Sequence, residues 1–349
     1  MKRKIILLLP LVLVVAIFAV VRHNFTPVSS AQFPDASKDR RVTLRWGSTA
    51  ATEDLVSEGM RKVAKLVEER SGGTLRINVF PASQLGDAMT QMEMVIAGNI
   101  DMFMEGSNYM ADWGVPDRYI GSIYFQLPNE EAFLRMLKSD LYKSWEAEFL
   151  KKTGLRTLAS NWVRPPVQFA SNVPLYKFED YKNLKIRSLP SEYTLASLRA
   201  LGTNPTSVAY NEVYMALQQG LIDATIATLD AIYKMNFYQV AKYLCLVNCN
   251  FVNNAAWINE KKFKSLSPAQ QEILLRTCQE VGEWYSQTVK SELQSYVDKM
   301  VEYGMVVINY TPEERAKFAA ATKVLIDKYA KEGRWSPGLY ERFIEAISE

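Results

Sequence analysis

Hydrophobic and polar positions in the first third of the chain follow two alternating periods. Apolar residues recur at every second position in 42–46 and 75–80, as in β-strands. Between and after these runs they recur at every third and fourth position, in 55–67 and from Asp87 to Gly98, as in amphipathic helices. A third short apolar run follows at 100–104. Strand, helix, strand, helix, strand predicts a parallel α/β unit.

The same alternation recurs further along the chain. The pattern predicts strands at 155–160 and 167–171, a helix that Ser191 caps, and a short helix at 211–219. We expect Thr52 to cap the first helix of the chain. Two similar α/β lobes are the simplest architecture with this arrangement.

One long helix is predicted in the C-terminal third. Residues 267–270 read Ser-Pro-Ala-Gln, a capping box with proline at the first helical position, and the helical period continues to about Tyr303. About 35 residues at ~1.5 Å each give a helix of over ~50 Å, which is longer than one lobe. We expect it to lie across both lobes. A strand at 305–310 and a helix capped by Thr311 follow.

These elements predict a domain organisation, in which the chain passes more than once between the lobes. We assign 1–31 to a leader, 32–40 to a tether, 41–161 with about 246–267 to lobe I, 162–245 with about 305–349 to lobe II, and 268–303 to the spanning helix.

The first residues have the pattern of an export signal. Basic residues 2–4 precede the apolar run 5–21, and the small residues 29–31 provide a cleavage site after Ala31. An uncleaved membrane anchor is the alternative, since the apolar run is near the shortest length that spans a bilayer. Both readings place the rest of the chain outside the cytoplasm.

Charge and histidine content exclude several functions. The chain of 349 residues carries a formal charge of +3, too weak to indicate nucleic-acid binding. Removing 1–31 takes four basic residues and no acidic ones, which leaves −1. His23 is the only histidine, and it leaves with the leader or sits beside the membrane. We therefore expect no Ser-His-Asp catalysis, no His-ligated metal and no cofactor.

Several motifs in a fixed order resemble the solute receptors of TRAP transporters, the DctP-type family. They are Phe-Pro-Ala-Ser-Gln-Leu-Gly at 80–86, Gly-Asn-Ile-Asp-Met at 98–102, the strand and turn 184–190 that carries Arg187, and Asn-Glu-Val-Tyr-Met-Ala-Leu-Gln-Gln-Gly at 211–220. The resemblance extends over essentially the whole chain from Val42 onward.

This resemblance implies a two-lobed α/β periplasmic binding protein, type II-like, that closes on a small organic acid and delivers it to a membrane permease. It also implies that Arg187 pairs with the substrate carboxylate. Arginine suits that role because its fork of donors stays charged and binds a carboxylate in bidentate fashion. An internal ion pair of Arg187 with Glu192 or Asp223 is the structural alternative.

Further candidate contacts surround Arg187 in the sequence. The resemblance implies a polar ligand contact at Thr49 and an aromatic one at Tyr210, and Glu105 follows a strand at the edge where open α/β sheets bind ligands. Each of these could instead have an ordinary structural role. The remaining candidates are Arg164, which could otherwise lie in a surface loop, Gln168, Thr225 and Asp230.

Two departures from the family pattern bear on the ligand. Val167 stands where relatives often have arginine, and Ala227 where they often have asparagine. These losses favour a monocarboxylate with an apolar, aromatic or amino-acid-like portion over a sugar acid or a dicarboxylate. Asp230 and Glu105 could receive the ammonium group of an amino-acid-like ligand.

The three cysteines leave two arrangements open. Cys245 and Cys249 are four residues apart on a predicted strand, so roughly 13 Å separates their Cα atoms, too far for a disulfide. Either could reach Cys278 on the long helix, or all three are buried thiols.

Two other functions remain as alternatives. A tethered receptor could act as a sensory module without a permease, and an exported enzyme could use carboxylates such as Asp87. Determining whether the leader is cleaved would distinguish a free transport receptor from a tethered sensory module. A homodimer formed through the long helix also stays open.

Overall fold

The computed structural model describes residues 26–188 and 191–348. The expected leader, with its apolar run 5–21 and His23, lies outside these residues except for its last few positions. In the part of the chain that is described, no helix has both the length and the apolar character needed to cross a bilayer.

Helices and strands alternate along most of the chain. The strands are β1 (Val42–Ser48), β2 (Leu75–Phe80), β3 (Met102–Gly106), β4 (Leu155–Val163), β5 (Val167–Ser171), β6 (Lys185–Ser188), β7 (Asn204–Ser207), β8 (Ala224–Thr228), β9 (Tyr243–Asn250), β10 (Asn253–Asn259) and β11 (Val306–Asn309). The helices are α1 (Leu55–Arg70), α2 (Ala88–Ala97), α3 (Tyr109–Asp112), α4 (Glu130–Lys138), α5 (Asp140–Thr153), α6 (Glu192–Ala200), α7 (Val213–Gln218), α8 (Leu229–Lys234), α9 (Glu260–Lys264), α10 (Pro268–Tyr303), α11 (Pro312–Lys331) and α12 (Leu339–Ser348).

The first sheet has the strand order β2-β1-β3-β10-β4. Its strand β1 pairs in parallel with β2 and β3, and α1 and α2 connect these strands, which confirms the predicted α/β unit. The cap of α1 is Asp54 and not Thr52 as the sequence predicted. The Asp54 carboxylate accepts from the amide of Val56 at 2.9 Å, so the helix begins after it.

The second sheet has the order β11-β9-β5-β8-β6-β7. Here β6 is parallel to both of its neighbours, and β5 is antiparallel to β8 and β9. The chain enters this sheet through 164–166, between β4 and β5, and leaves it through 251–252, between β9 and β10. Two sheets joined by short crossing segments confirm the two-lobed architecture.

Helix α10 has the predicted start, length and end. Ser267 and Gln270 form the reciprocal capping box, and the helix stops at Gly304, whose φ of 121° disfavours other residues. It contacts α1 and β4 beside the first sheet and α8 beside the second. The long helix therefore joins the two lobes, as predicted.

The C-terminal segment contacts both lobes. Strand β11 pairs with β9 in the second sheet, but α12 contacts α4 and α5 beside the first sheet. The apolar face of α12 causes this placement, because Leu339 and Phe343 are buried in one cluster with Phe133 of α4. The segment therefore touches both sheets. The lobe boundaries, including the assignment of 305–349 to lobe II, stay a prediction.

All three cysteines are buried and unpaired. Cys278 belongs to the hydrophobic cluster that covers the first sheet, whereas Cys245 and Cys249 belong to a cluster of the second. Burial raises the pKa of Cys245 to about 12, and the Cys249 thiol donates to the carbonyl of Val167 at 3.3 Å. These thiols are parts of the two cores and are held protonated at neutral pH.

Candidate ligand-binding site

A cavity of about 810 Å³ lies between the two sheets, next to the crossing segments. Its volume is in the range that encloses a small-molecule ligand. Polar side chains line much of it: Thr49, Ser107, Asn108, Arg118 and Asn253 from the first-sheet side, Arg187, Thr194, Tyr210 and Thr228 from the second, and Arg164 and Asn250 from the crossings.

Arg187 projects into this cavity from β6, next to β7 and β8. The side chain is held in place because its Nε donates to the carbonyl of Val208 at 3.1 Å and its guanidinium lies 5.4 Å from the ring centre of Tyr210. The residue is only 3% exposed, and this burial lowers the pKa of the guanidinium. A buried cation at a cavity wall is a strong site for an anion.

The structure rules out the alternative ion pairs of Arg187. Asp223 pairs with Lys185 at 3.6 Å, and Glu192 pairs with Arg334 at 2.6 Å. Among residues 26–188 and 191–348, no carboxylate is within ion-pair distance of Arg187. The positive charge of Arg187 is thus not neutralised by any of these side chains, and it can pair with a bound anion.

Three more of the predicted contacts line the same cavity: Thr49, Arg164 and Tyr210. Arg164 is in the crossing segment before β5, and its backbone amide donates to the carbonyl of Val252 in the other crossing at 2.9 Å. Burial alone would lower its pKa, but the charges around it, chiefly Tyr285 and Asp230, raise it overall. Arg164 is therefore a wall of the cavity and not part of a surface loop.

The other four predicted contacts do not line the cavity. Glu105 accepts from the hydroxyl of Thr49 and so lies directly behind it. Gln168 accepts from the amide of Asn248 at 2.8 Å and supports the irregular pairing of β5 with β9. Thr225 is buried on β8 in register with Arg187. Each of the three is next in sequence to a residue that lines the cavity, but none of them is part of its wall.

Asp230, the fourth of these, belongs to an ion cluster that joins the lobes. Lys234 of α8 lies 3.2 Å from Asp230 and 3.5 Å from Asp54, the cap of α1. Burial by itself would raise the pKa of Asp230, but the charges of Arg164 and Lys234 lower it below 3.8 overall. The cluster thus contributes an electrostatic contact between the first-lobe helix α1 and the second-lobe helix α8.

The lowered pKa of Asp230 leads to a pH-dependent stability. A carboxylate with a lower pKa in the folded state stabilises the protein above its unfolded pKa, and this contribution disappears as the pH falls through the folded pKa. We expect Asp230→Asn to cost about 2 kcal/mol at neutral pH, and the difference from wild type to shrink as the pH falls from the unfolded pKa of an aspartate through the lowered folded pKa of Asp230. Urea unfolding across this pH range measures it. A constant difference at all pH values would contradict the ionic role.

Sequence reasoning missed several cavity residues, of which Arg118 is the most notable. It sits in the helical turn Pro116–Ser122, and Ser107 and Tyr124 lie on either side of that turn. The region 107–128 has short turns without a sustained period, so no hydrophobic pattern marked it. Its only signal was an arginine in a stretch with few other charges.

The cavity is suited to binding an anion. Three of its cations, Arg118, Arg164 and Arg187, come from the two lobes and the crossing between them. In the described part of the chain no cluster of three or more His, Cys, Asp or Glu side chains is arranged to hold a metal ion. The arrangement can bind and desolvate an anionic small molecule between the lobes.

Comparison with known proteins gives consistent similarities. The sequence profile of the DctP family, described as bacterial extracellular solute-binding protein, family 7, matches residues 46–332. The sialic acid-binding periplasmic protein SiaP of Vibrio cholerae is 27% identical over 84% of this chain and 90% of its own length. The 2,3-diketo-L-gulonate-binding periplasmic protein YiaO of Escherichia coli is 31% identical over 80% of this chain and 84% of its own length.

A solved structure with a similar fold is the TRAP periplasmic solute-binding protein from Desulfovibrio salexigens with bound orotic acid. It superimposes with a TM-score of 0.76 at 25% sequence identity, over 88% of this chain and 98% of its own.

Proposed function

This chain belongs to the DctP family of bacterial extracellular solute-binding proteins, family 7, and we propose that it is the periplasmic receptor of a TRAP transporter. The receptor captures a small organic acid between its lobes and delivers it to the membrane permease. The resemblance that the sequence motifs indicated is thereby confirmed at the level of the family.

One observation carries the proposal most directly: Arg187 is buried at the wall of an interlobe cavity and has no acidic partner among the described residues. A buried guanidinium without a counter-charge is costly, and a carboxylate that enters the cavity removes that cost. Because cavity residues come from both lobes, the ligand favours the closed arrangement over an open one. The permease can then distinguish the loaded receptor from the empty one.

The relatives support an organic acid as the ligand. Their printed names give sialic acid, 2,3-diketo-L-gulonate and orotic acid, all of which carry a carboxylate. We also propose that an apolar or planar part of the ligand packs on Tyr124, Tyr210, Ile226 and Phe251 of the cavity wall. The restriction to one carboxylate no longer follows, because Arg164 and Arg118 line the cavity although position 167 is valine.

The alternatives have less support. The relatives named above are binding proteins, which favours a binding role over an exported enzyme. A sensory module would use the same cavity, so the binding site does not distinguish it. The mature N-terminus distinguishes the two roles. A chain that begins near Gln32 is a free receptor, and a retained leader favours a tethered sensor.

We expect a screen of organic acids to raise the melting temperature of the mature protein. A ligand that binds only the folded state stabilises it by about 2.7 kcal/mol at a concentration of 100 times Kd. The screen compares each acid with its neutral amide, which controls for apolar binding. Stabilisation by acids and not by their amides supports the proposal. A protein that no carboxylate stabilises would contradict it.

A further inference from the structure

Arg118 is a second buried cation at the wall of the ligand cavity, on the side of the first lobe. It is 5% exposed, and its guanidinium lies 5.7 Å from the ring of Tyr142 and 5.8 Å from the ring of Trp145, both on α5. Burial lowers the pKa of this guanidinium. Arg118 and Arg187 thus line one cavity from opposite lobes.

The position of Arg118 is fixed by a buried hydrogen-bond network. Its Nη2 donates to the hydroxyl of Ser107 at 2.9 Å, and that hydroxyl donates to Asn253 Oδ1 at 2.6 Å. Asn253 in turn donates to the carbonyl of Ser160 at 2.7 Å. Arginine held by neutral partners keeps its full charge and is preorganised, so a ligand does not have to order it.

The guanidinium has further donors beyond its bond to Ser107. Its Nε has no hydrogen-bond partner among the described residues. Gly121 also lines the cavity, and a Cβ at that position would lie 2.6 Å from Arg118 Nη1. Glycine there leaves space around Nη1 that any other residue would fill.

No acid in the described chain neutralises Arg118. The acidic side chains that line the cavity are Asp112 and Glu192. Asp112 accepts from the hydroxyl of Tyr119, and Glu192 pairs with Arg334. No carboxylate of residues 26–188 and 191–348 is within ion-pair distance of Arg118, so two buried arginines on opposite lobes share one cavity without internal counter-charges.

We propose that Arg118 forms a second oxyanion subsite, and that the ligand carries two acidic groups, one for Arg187 and one for Arg118. The inference rests on the proposed function, since it concerns the same cavity. A dianion that contacts both arginines bridges the lobes and stabilises closure from both sides. A carboxylate and a phosphate both offer the oxygens that a guanidinium binds in bidentate fashion.

The test compares dianions with matched monoanions by calorimetry. The probes with two acidic groups, called dianions here for the dicarboxylates, are succinate, glutarate and adipate, with phosphoglycolate as the more highly charged phosphate analogue. The monoanion probes are butyrate, valerate and hexanoate. We expect wild type to prefer a dianion, and Arg118→Met to bind it at least about 30-fold more weakly, with monoanion binding unchanged. Phosphoglycolate against succinate shows whether the second group is a phosphate or a carboxylate.

Two further variants keep the outcomes distinct. Arg118→Lys retains the charge and loses the fork, so it should lose about tenfold for dianions and remain folded. Arg61→Met, at an exposed position on α1, should bind as wild type.

Wild-type affinity of Arg118→Met for the dianion would overturn the inference. So would equal losses for dianions and monoanions, or a wild type that prefers monoanions. In the last case the proposed function survives, whereas a wild type that binds no acid contradicts both.

Discussion

Replacement of Arg187 by Met is expected to abolish carboxylate binding and leave a folded protein. The guanidinium is buried beside Tyr210 and has no acidic partner among the described residues, so the ligand carboxylate is its counter-charge. Removing one partner of a buried, hydrogen-bonded charge pair costs about 2–5 kcal/mol or more. This is a loss of at least about 30-fold, and calorimetry with the best acid from the thermal screen measures it.

The ligand-free variant separates a binding role from a structural one. Arg187→Met removes an uncompensated buried charge and one hydrogen bond to the carbonyl of Val208. The first change stabilises the empty protein and the second destabilises it by about 1 kcal/mol, so its melting temperature should stay close to wild type. A large fall in melting temperature would indicate that Arg187 supports the second sheet.

Charge and geometry are distinguished by Arg187→Lys. Lysine keeps a cation but presents it as a point charge that cannot reproduce the fork. We expect it to lose most of the affinity as well. The matched control is Arg199→Met on α6, an exposed arginine of the same lobe, which should bind normally. Wild-type affinity in Arg187→Met would contradict the site assignment.

The sequence predicted those features that depend on interactions between residues close together in the chain. The capping box at Ser267 and Gln270 gave the start of α10, and Gly304 gave its end, because backbone groups at helix ends need nearby partners. Arg187 was identified because it lies in a regular strand within an ordered set of motifs. These features depend on neighbours a few residues away.

The remaining features depend on contacts between distant parts of the chain. Arg118 is held by Ser107, Asn253 and the rings of α5, a set that no local period reveals. Likewise, the packing of α12 on α4 and α5 joins the C-terminal end of the chain to helices about 200 residues earlier. Sequence periodicity shows which face of an element is buried and leaves the covering partner undetermined.

Substitution of Gly59 by Leu is expected to destabilise the protein by about 3 kcal/mol or more. Gly59 lies on the buried face of α1, where a Cβ would lie 2.5 Å from Cζ3 and 2.7 Å from Cη2 of Trp162. On α10, a Cβ at Gly282 would lie 2.7 Å from Cδ1 of the same indole. Trp162 is fully buried between the two helices and donates to the carbonyl of Cys278 at 3.2 Å, so its ring has little room to move.

Gly59→Ala gives a graded version of the same test. Alanine in a helix interior is favoured over glycine by about 1 kcal/mol, so a site with free space would gain stability from this change. We expect a net loss here, because the ring must shift. The control is Lys65→Leu on the exposed face of α1, which should change the free energy of unfolding by less than about 0.5 kcal/mol. Urea unfolding measures all three variants, and a gain in stability for Gly59→Ala would contradict the close packing.

The packing at Gly59 also bears on the ligand site. Trp162 lies on β4 two residues before Arg164, which enters the cavity from the crossing segment. A displaced indole shifts the end of β4 and with it the guanidinium of Arg164. We therefore expect Gly59→Ala to weaken acid binding by about tenfold while Arg187 and Arg118 stay intact, since small misplacements of a positioning group carry large costs. Unchanged affinity in a destabilised Gly59→Ala protein would show that Arg164 is positioned independently of Trp162.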